Sequence, residues 1–196
     1  MLALSGLGKA VKSVVSKRND KVNVVSYADD FVITGASKEV LENKVMPVVA
    51  SFLKERGLEL SQTKTKITHI DEGFDFLGFN VRKYKGKLLI KPAKKNIKSF
   101  LDKIRKLIKS NPTITTEILI HQLNPKIRGW ANYFCHVVAK ETFSYVDHSV
   151  FQTLLRWVKR RHPNKSVRWI LKKYFRSQGL RSWIFFAAVI DKKKGA

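Results

Sequence analysis

Apolar positions recur along the chain at two periods, and the change from one to the other divides it. Leu4, Leu7, Val11, Val14 and Val15 fall at helical spacing with lysines between them, predicting an amphipathic helix over 2–16. Segments 22–27 and 31–34 are β-branched and aromatic, predicting a hairpin with Ala28-Asp29-Asp30 at its tip. Ser37 then opens a helix over 38–56, whose Val40, Leu41, Val45, Val48, Val49, Phe52 and Leu53 face a core, and Gly57 ends it. Short strands are expected at 58–60 and 66–70. They are followed by Phe74-Asp75-Phe76-Leu77-Gly78-Phe79 and by a hairpin, 81–84 with 87–90, turning at Lys85-Gly86.

Beyond Pro92 the pattern predicts helices alone. Ile97, Leu101, Ile104 and Ile108 form one apolar stripe with lysines opposite, closed by Asn111-Pro112. A second helix is expected over 115–123. Asn124-Pro125 offers an N-cap with proline at the first helical position, so a third is expected from there to about His136. Two more follow over 142–161 and 166–175. The fold class is therefore α+β, with strands and helices mixed to residue 92, helices over 93–180 and a basic tail over 181–196.

Charge changes the picture. Against 15 acids the 196 residues carry 39 lysines and arginines, a net +24, and the imbalance is concentrated late. Residues 1–90 hold 15 cations and 10 acids, whereas 91–196 hold 24 and 5. Such self-repulsion points to a polyanionic partner, nucleic acid by default. Acidic membranes could also attract such a surface, but no apolar run approaches the roughly 20 residues needed to span a bilayer, which excludes a spanning segment, and no membrane partner is expected. Cys135 is the one cysteine, which excludes a disulfide framework and fits a reducing compartment, bacterial cytoplasm or organelle. The five histidines are scattered singly, without a spacing that would hold zinc on a helix.

Two adjacent aspartates at the tip of an apolar hairpin repel each other and are poor strand formers. A bare Asp-Asp is usually a solvated turn. Here its surroundings add information. Tyr27-Ala28-Asp29-Asp30 between two apolar strands resembles motif C of reverse transcriptases. Gly57, Leu60, Lys64, Thr65 and Lys66 are similar to the segment after the palm helix of group II intron reverse transcriptases. Segment 74–79 resembles the primer grip, and Lys91-Pro92-Ala93-Lys94-Lys95 resembles the entry to the thumb. Leu123-Asn124-Pro125-Lys126-Ile127-Arg128-Gly129-Trp130-Ala131-Asn132-Tyr133-Phe134 is similar to the signature of the maturase-specific X domain. These stretches stand in the family's order.

The resemblance implies a partial antiparallel reverse-transcriptase palm over 1–92 followed by an all-helical thumb/maturase domain, the C-terminal portion of a group II intron-encoded protein. It implies that Asp29 ligates Mg²⁺ in a two-metal site with Asp30 in support, that Tyr27 and Ala28 lie beside the primer terminus, and that Phe76, Leu77 and Gly78 position the primer. Lys64 either approaches the phosphates of an incoming deoxynucleoside triphosphate or is a surface lysine. The implied partners are group II intron RNA, an RNA template, a DNA primer and an N-terminal reverse-transcriptase half in trans. The family's remaining palm carboxylate and fingers have no counterpart here, so the chain alone is expected not to polymerise DNA. The alternative is a non-catalytic RNA-binding maturase module.

For RNA contact, the charge pattern singles out Lys94, Lys95, Lys126, Arg128, Arg156, Lys159, Arg160, Arg161, Lys165, Arg168, Lys172 and Lys173. Trp130, Tyr133 and Phe134 either stack on bases or pack the helix. Trp130 and Phe134 are four apart, which favours packing.

Overall fold

A computed structural model describes residues 4–16, 18–61, 63, 65–179 and 181–187. The chain divides into two units, Met1–Phe76 and Leu77–Ala196.

In the first unit, α1 (Leu7–Ser13) buries Leu7 and Val11 and stops short of the Ser16 that its apolar pattern suggested, while Leu2 and Ala3 of the expected helix lie outside the described residues. Asp20 explains the early stop. Its carboxylate accepts the Ser16 backbone N–H at 2.8 Å, a donor that would otherwise continue the helix. The same carboxylate takes Lys44 Nζ at 2.9 and 3.0 Å, and the Asp20 carbonyl accepts the Ala36 N–H at 2.8 Å. One buried acid thus ties the end of α1 to the base of the hairpin and to the helix beyond.

The hairpin itself, β1 (Asn23–Tyr27) with β2 (Asp30–Thr34), runs in register from Asn23↔Thr34 to Tyr27↔Asp30. Val24, Phe31 and Ile33 turn inward against the cluster of Leu7, Val11, Val22, Val45, Val49, Phe52 and Leu53. Ser37 Oγ accepts the Val40 N–H at 3.4 Å and so caps the expected helix. That helix is not uniform: Val40–Val45 is π-helical, and α2 proper spans Met46–Lys54. Pro47 supplies the reason, since it has no N–H for an i−4 carbonyl and the wider preceding turn relieves its ring.

Gly57 at φ 69 ends α2 in a Schellman arrangement, with Gly57 N–H on the Lys54 carbonyl and Leu58 N–H on that of Leu53. That cap also overturns the first expected strand, because the Leu58 donor is spent on the helix. Neither 58–60 nor 66–70 forms a strand; Thr65 N–H bonds the Ser61 carbonyl and Glu72 and Gly73 bond that of His69, so local turns replace a ladder. The unit closes with β3 (Phe74–Phe76).

In the second unit, β4 (Phe79–Tyr84) pairs antiparallel with β5 (Lys87–Pro92). Lys85 and Gly86, at φ 46 and 83, make the two-residue turn that matches strand twist. Next comes α3 (Lys94–Ser110), with Leu101, Ile104 and Ile108 buried as the stripe predicted. Asn111 Nδ2 closes it on the Leu107 carbonyl at 2.9 Å.

The two helices expected on either side of Asn124-Pro125 are one, α4 (Thr116–Phe134), with Pro125 inside it and Thr115 as its cap. An interior proline costs roughly 3 kcal/mol. Burial on both sides of it outweighs that cost, because Leu119 and Leu123 before the proline, and Ile127 and Trp130 after it, pack on the same core. The helices α5 (Lys140–Arg161) and α6 (Val167–Tyr174) follow, the latter capped by Ser166.

The expectation of an all-helical region is corrected by a final hairpin, β6 (Phe175–Gln178) with β7 (Arg181–Phe185). Phe175 and Phe185 pair across it and join the helical core, which is why residues 181–185 are strand and not tail.

Asp20 generates a prediction. Its carboxyl is held below the ordinary carboxylate range, first by the Ser16 N–H and then by Lys44. A group depressed in the folded state contributes stability above its unfolded value, near pH 3.9, and loses it as pH falls through the lower folded value. Asp20→Asn is expected to lower the urea midpoint at neutral pH and to lose less than the wild type on acidification below about pH 4; urea titrations across pH measure both.

Candidate active site and nucleic-acid interface

The β1–β2 register leaves Ala28 and Asp29 as a two-residue turn and puts Asp30 on the strand opposite Tyr27. Ala28 has φ 52, a left-handed conformation that costs a residue with a Cβ about 1 kcal/mol or more. Directly opposed residues share a face, so Tyr27, Asp30, Val25 and Val32 line the side of the hairpin away from the core. That side is unusually open: Val25 is 57% exposed and Tyr27 63%. Asp29 and Asp30 are both exposed, and among the described residues neither has an ion-pair partner. Two adjacent uncompensated carboxylates fit a hard divalent cation, which takes one or two such oxygens and completes its shell with water and phosphate. Among the described residues, no group of three or more metal-ligating side chains gathers anywhere.

Of the residues assigned to the primer, Phe76 ends β3 in the first unit and Lys64 lies outside the described residues. Leu77 and Gly78 belong to the second unit, where they form a turn with φ 50 and 81. Helices hold it firmly. The Leu77 carbonyl accepts Tyr133 Oη at 2.8 Å, the Gly78 carbonyl accepts the Ala93 N–H at 2.9 Å, and Trp130 Nε1 donates to Asn96 Oδ1 at 2.9 Å. A Cβ on Gly78 would meet Asn96 Nδ2 at 2.9 Å, so a side chain there would have to displace the Asn96 amide that bonds Trp130.

Rings complete the clamp. Phe79 stacks on Tyr133 with centroids 5.0 Å apart, Trp130 stacks on Phe100 at 4.7 Å, and Phe134 meets both Phe79 and Trp130 at 5.0 Å. Trp130 and Phe134 therefore pack the core, and Tyr133 anchors the turn with its hydroxyl.

The charge asymmetry sharpens at the unit boundary. Met1–Phe76 carries 11 lysines and arginines against 10 acids, and Leu77–Ala196 carries 28 against 5. Lys94, Lys95, Lys126, Arg128, Arg156, Lys159, Arg160, Lys165, Arg168, Lys172 and Lys173 are all exposed on the second unit. Arg161 is only half exposed; its guanidinium bonds the Thr113 carbonyl at 2.7 Å and lies over the Trp157 ring at 4.3 Å.

Sequence reasoning missed Arg105 and Lys109. One turn apart on α3, they join Arg156 and Arg160, one turn apart on α5, around a cavity of about 340 Å³ floored by Ile108 and Trp157. The signal was present, since both alternate with the buried stripe of α3. Burial lowers the His162 pKa, and nearby Lys173, Arg161 and Lys165 lower it further, which favours the neutral imidazole that meets Tyr174 Oη at 2.7 Å. No helix among the described residues is long and apolar enough to cross a membrane.

Comparison with known proteins agrees with this division. The family model for reverse transcriptase (RNA-dependent DNA polymerase) matches residues 3–81, and the model for the group II intron, maturase-specific domain matches residues 97–175. Among curated proteins, the chain is 30% identical over 140 residues to the ribosomal operon-associated A protein of Euglena longa, covering 69% of this chain and 26% of the relative. It is 25% identical over 100 residues to maturase-like protein 1 of Euglena gracilis, covering 50% and 21%. The chain thus spans about a quarter of the length of these relatives.

Gly78 is constrained both by its φ of 81 and by the nearby Asn96 side chain. Gly78→Ala is expected to destabilise the second unit by about 1–3 kcal/mol, from left-handed strain and the Asn96 clash together. Gly86→Ala, at φ 83 with nothing within 4 Å of the added Cβ, serves as the control and should cost only the strain. Urea unfolding of both variants checks the difference.

Proposed function

Since the chain belongs to the group II intron reverse-transcriptase/maturase family, joining a reverse-transcriptase segment to a maturase-specific one, we propose that its second unit binds group II intron RNA in support of splicing. The observation that carries this reading is the location of the charge. Nearly all the excess lies on Leu77–Ala196, the unit containing the maturase-specific match, and most of its described cations are exposed. RNA phosphates release their counterions to such a surface, which binds tightly at low salt with little regard to sequence. The Arg105, Lys109, Arg156 and Arg160 cavity concentrates the effect between two helices.

For the first unit we assign Asp29 and Asp30 to the Mg²⁺ chemistry that reverse transcriptases use. Bound there, Mg²⁺ would polarise the attacked phosphate and neutralise the leaving pyrophosphate. The protein's own share is to hold two carboxylates at a fixed turn and to offer the open Tyr27 and Ala28 face to a primer terminus. Two-metal catalysis draws on at least one further carboxylate. The hairpin is therefore part of a site, and copying an RNA template from a DNA primer with deoxynucleoside triphosphates requires a fingers-and-palm half, supplied in cis or in trans. A purely RNA-binding maturase module is the second reading, favoured by how completely the charge is confined to the second unit.

Two measurements test these assignments. Binding of the full chain to a folded intron RNA is expected to weaken by at least about 10³-fold between 50 and 200 mM salt, and Arg156→Ala with Arg160→Ala should flatten that slope; a salt-independent affinity would refute the interface. Asp29→Ala with Asp30→Ala should leave this binding within about twofold, because local charge at the hairpin adds little to a multi-phosphate contact. In a complemented enzyme the same change should abolish primer extension, and retained extension would remove the two aspartates from the chemistry.

A further inference from the structure

The β6–β7 hairpin contains a bulge that neither the fold nor the RNA-binding surface described above requires. Its register runs Phe175↔Phe185 and Arg176↔Ile184, then Gln178↔Arg181, so Ser182 and Trp183 together face Ser177. Trp183 occupies the bulge at φ 61, a conformation that strains a bulky residue, and its side chain is 52% exposed. Bulges re-aim side chains, and strain of this kind persists where the surroundings enforce it.

What Trp183 is aimed at is a pocket of about 240 Å³ whose floor is Leu171 and Phe175 and whose rim is Arg168, Lys172 and Arg176. Phe151 supports the indole from the inner side, with ring centroids 6.3 Å apart. No acid occurs in sequence between Asp147 and Asp191, and none is among the residues that line the pocket. The bulge and its tryptophan also lie beyond residues 97–175, where the maturase-specific match ends.

An apolar floor, an exposed indole face and three cations spaced around them suit one chemistry, a flat aromatic group carrying phosphates on either side. The geometry points to a seat for one unpaired nucleotide of an RNA strand, its base stacked on Trp183 and its flanking phosphates held by Arg168, Lys172 and Arg176. Paired bases are already stacked on their neighbours and cannot enter. This seat rests on the RNA-binding reading of the second unit and gives it a preference that a basic surface alone lacks, for unpaired over paired RNA.

The test compares an oligouridylate strand of about twelve nucleotides with an RNA duplex of equal phosphate number, both bound to the full chain at about 0.1 M salt. Trp183→Ala is expected to weaken the strand about tenfold and to leave the duplex within about twofold, and Trp183→Phe to keep most of the strand affinity. Strand binding should quench tryptophan emission more in the wild type than in Trp183→Phe, a readout that needs no truncated side chain.

The seat is overturned by an unchanged strand affinity in Trp183→Ala, by equal weakening of both RNAs, or by equal quenching in the wild type and Trp183→Phe. Uridine monophosphate competing as well as the strand would identify a free-nucleotide pocket and overturn the strand assignment. If the wild type binds neither RNA, the RNA-binding reading itself has failed. If it binds both and the Trp183 variants behave as the wild type, only the seat has failed.

Discussion

Twenty-eight cations and five acids within Leu77–Ala196 cannot be neutralised from inside the unit, and this shortage of negative charge governs how the rest of it is built. Ion pairs cannot supply the cohesion, so burial must. Each helix commits a continuous apolar stripe to one core, Leu101, Ile104 and Ile108 from α3, Leu119 and Leu123 from α4, Val150, Leu154 and Val158 from α5 and Ile170 from α6. The lysines and arginines are left to the opposite faces. Aromatic rings take up some of the positive charge where acids would otherwise stand, with Arg161 over Trp157 at 4.3 Å and Lys173 over Trp169 at 4.7 Å. A unit built in this way leaves its outer charge uncompensated by its own acids.

The first unit solves the opposite problem. Its charges nearly balance, and its buried carboxylate, Asp20, is satisfied by the Ser16 N–H and by Lys44. Asp29 and Asp30 contrast with it, because they are adjacent, exposed and without an ion-pair partner among the described residues. The internal carboxylate is fully spoken for, and the external pair is open to solvent.

Backbone strain marks the same places. Non-glycine residues with positive φ include Ala28 beside the two aspartates, Leu77 in the clamped turn and Trp183 at the bulge. Each sits where a neighbouring group is held at a particular angle: a carboxylate pair, a carbonyl bonded by Tyr133, an indole over a pocket. Each costs free energy that the adjoining core or hydrogen bonds must offset.

The sequence by itself determined everything that depends on local periodicity or local chemistry. The hairpin around Ala28-Asp29-Asp30, the Gly57 stop, the Lys85-Gly86 turn, the α3 stripe and the long α5 were legible because spacing, turn residues and caps act within a few residues. Charge was legible as a sum, and motif resemblance carried the family. Only tertiary structure decided the rest. Pro125 reads as a helix start until burial on both of its sides keeps α4 whole, and segments 58–60 and 66–70 read as strands until a helix cap takes the Leu58 donor and a turn takes the His69 carbonyl. Residues 181–185 read as tail until Phe185 finds Phe175 across the hairpin. Tyr133 could have met a base until its hydroxyl met the Leu77 carbonyl, and Trp183 carried no signal at all before the bulge aimed it outward. In each case the outcome turned on a partner distant in sequence or on a backbone angle set by pairing, which no local pattern encodes.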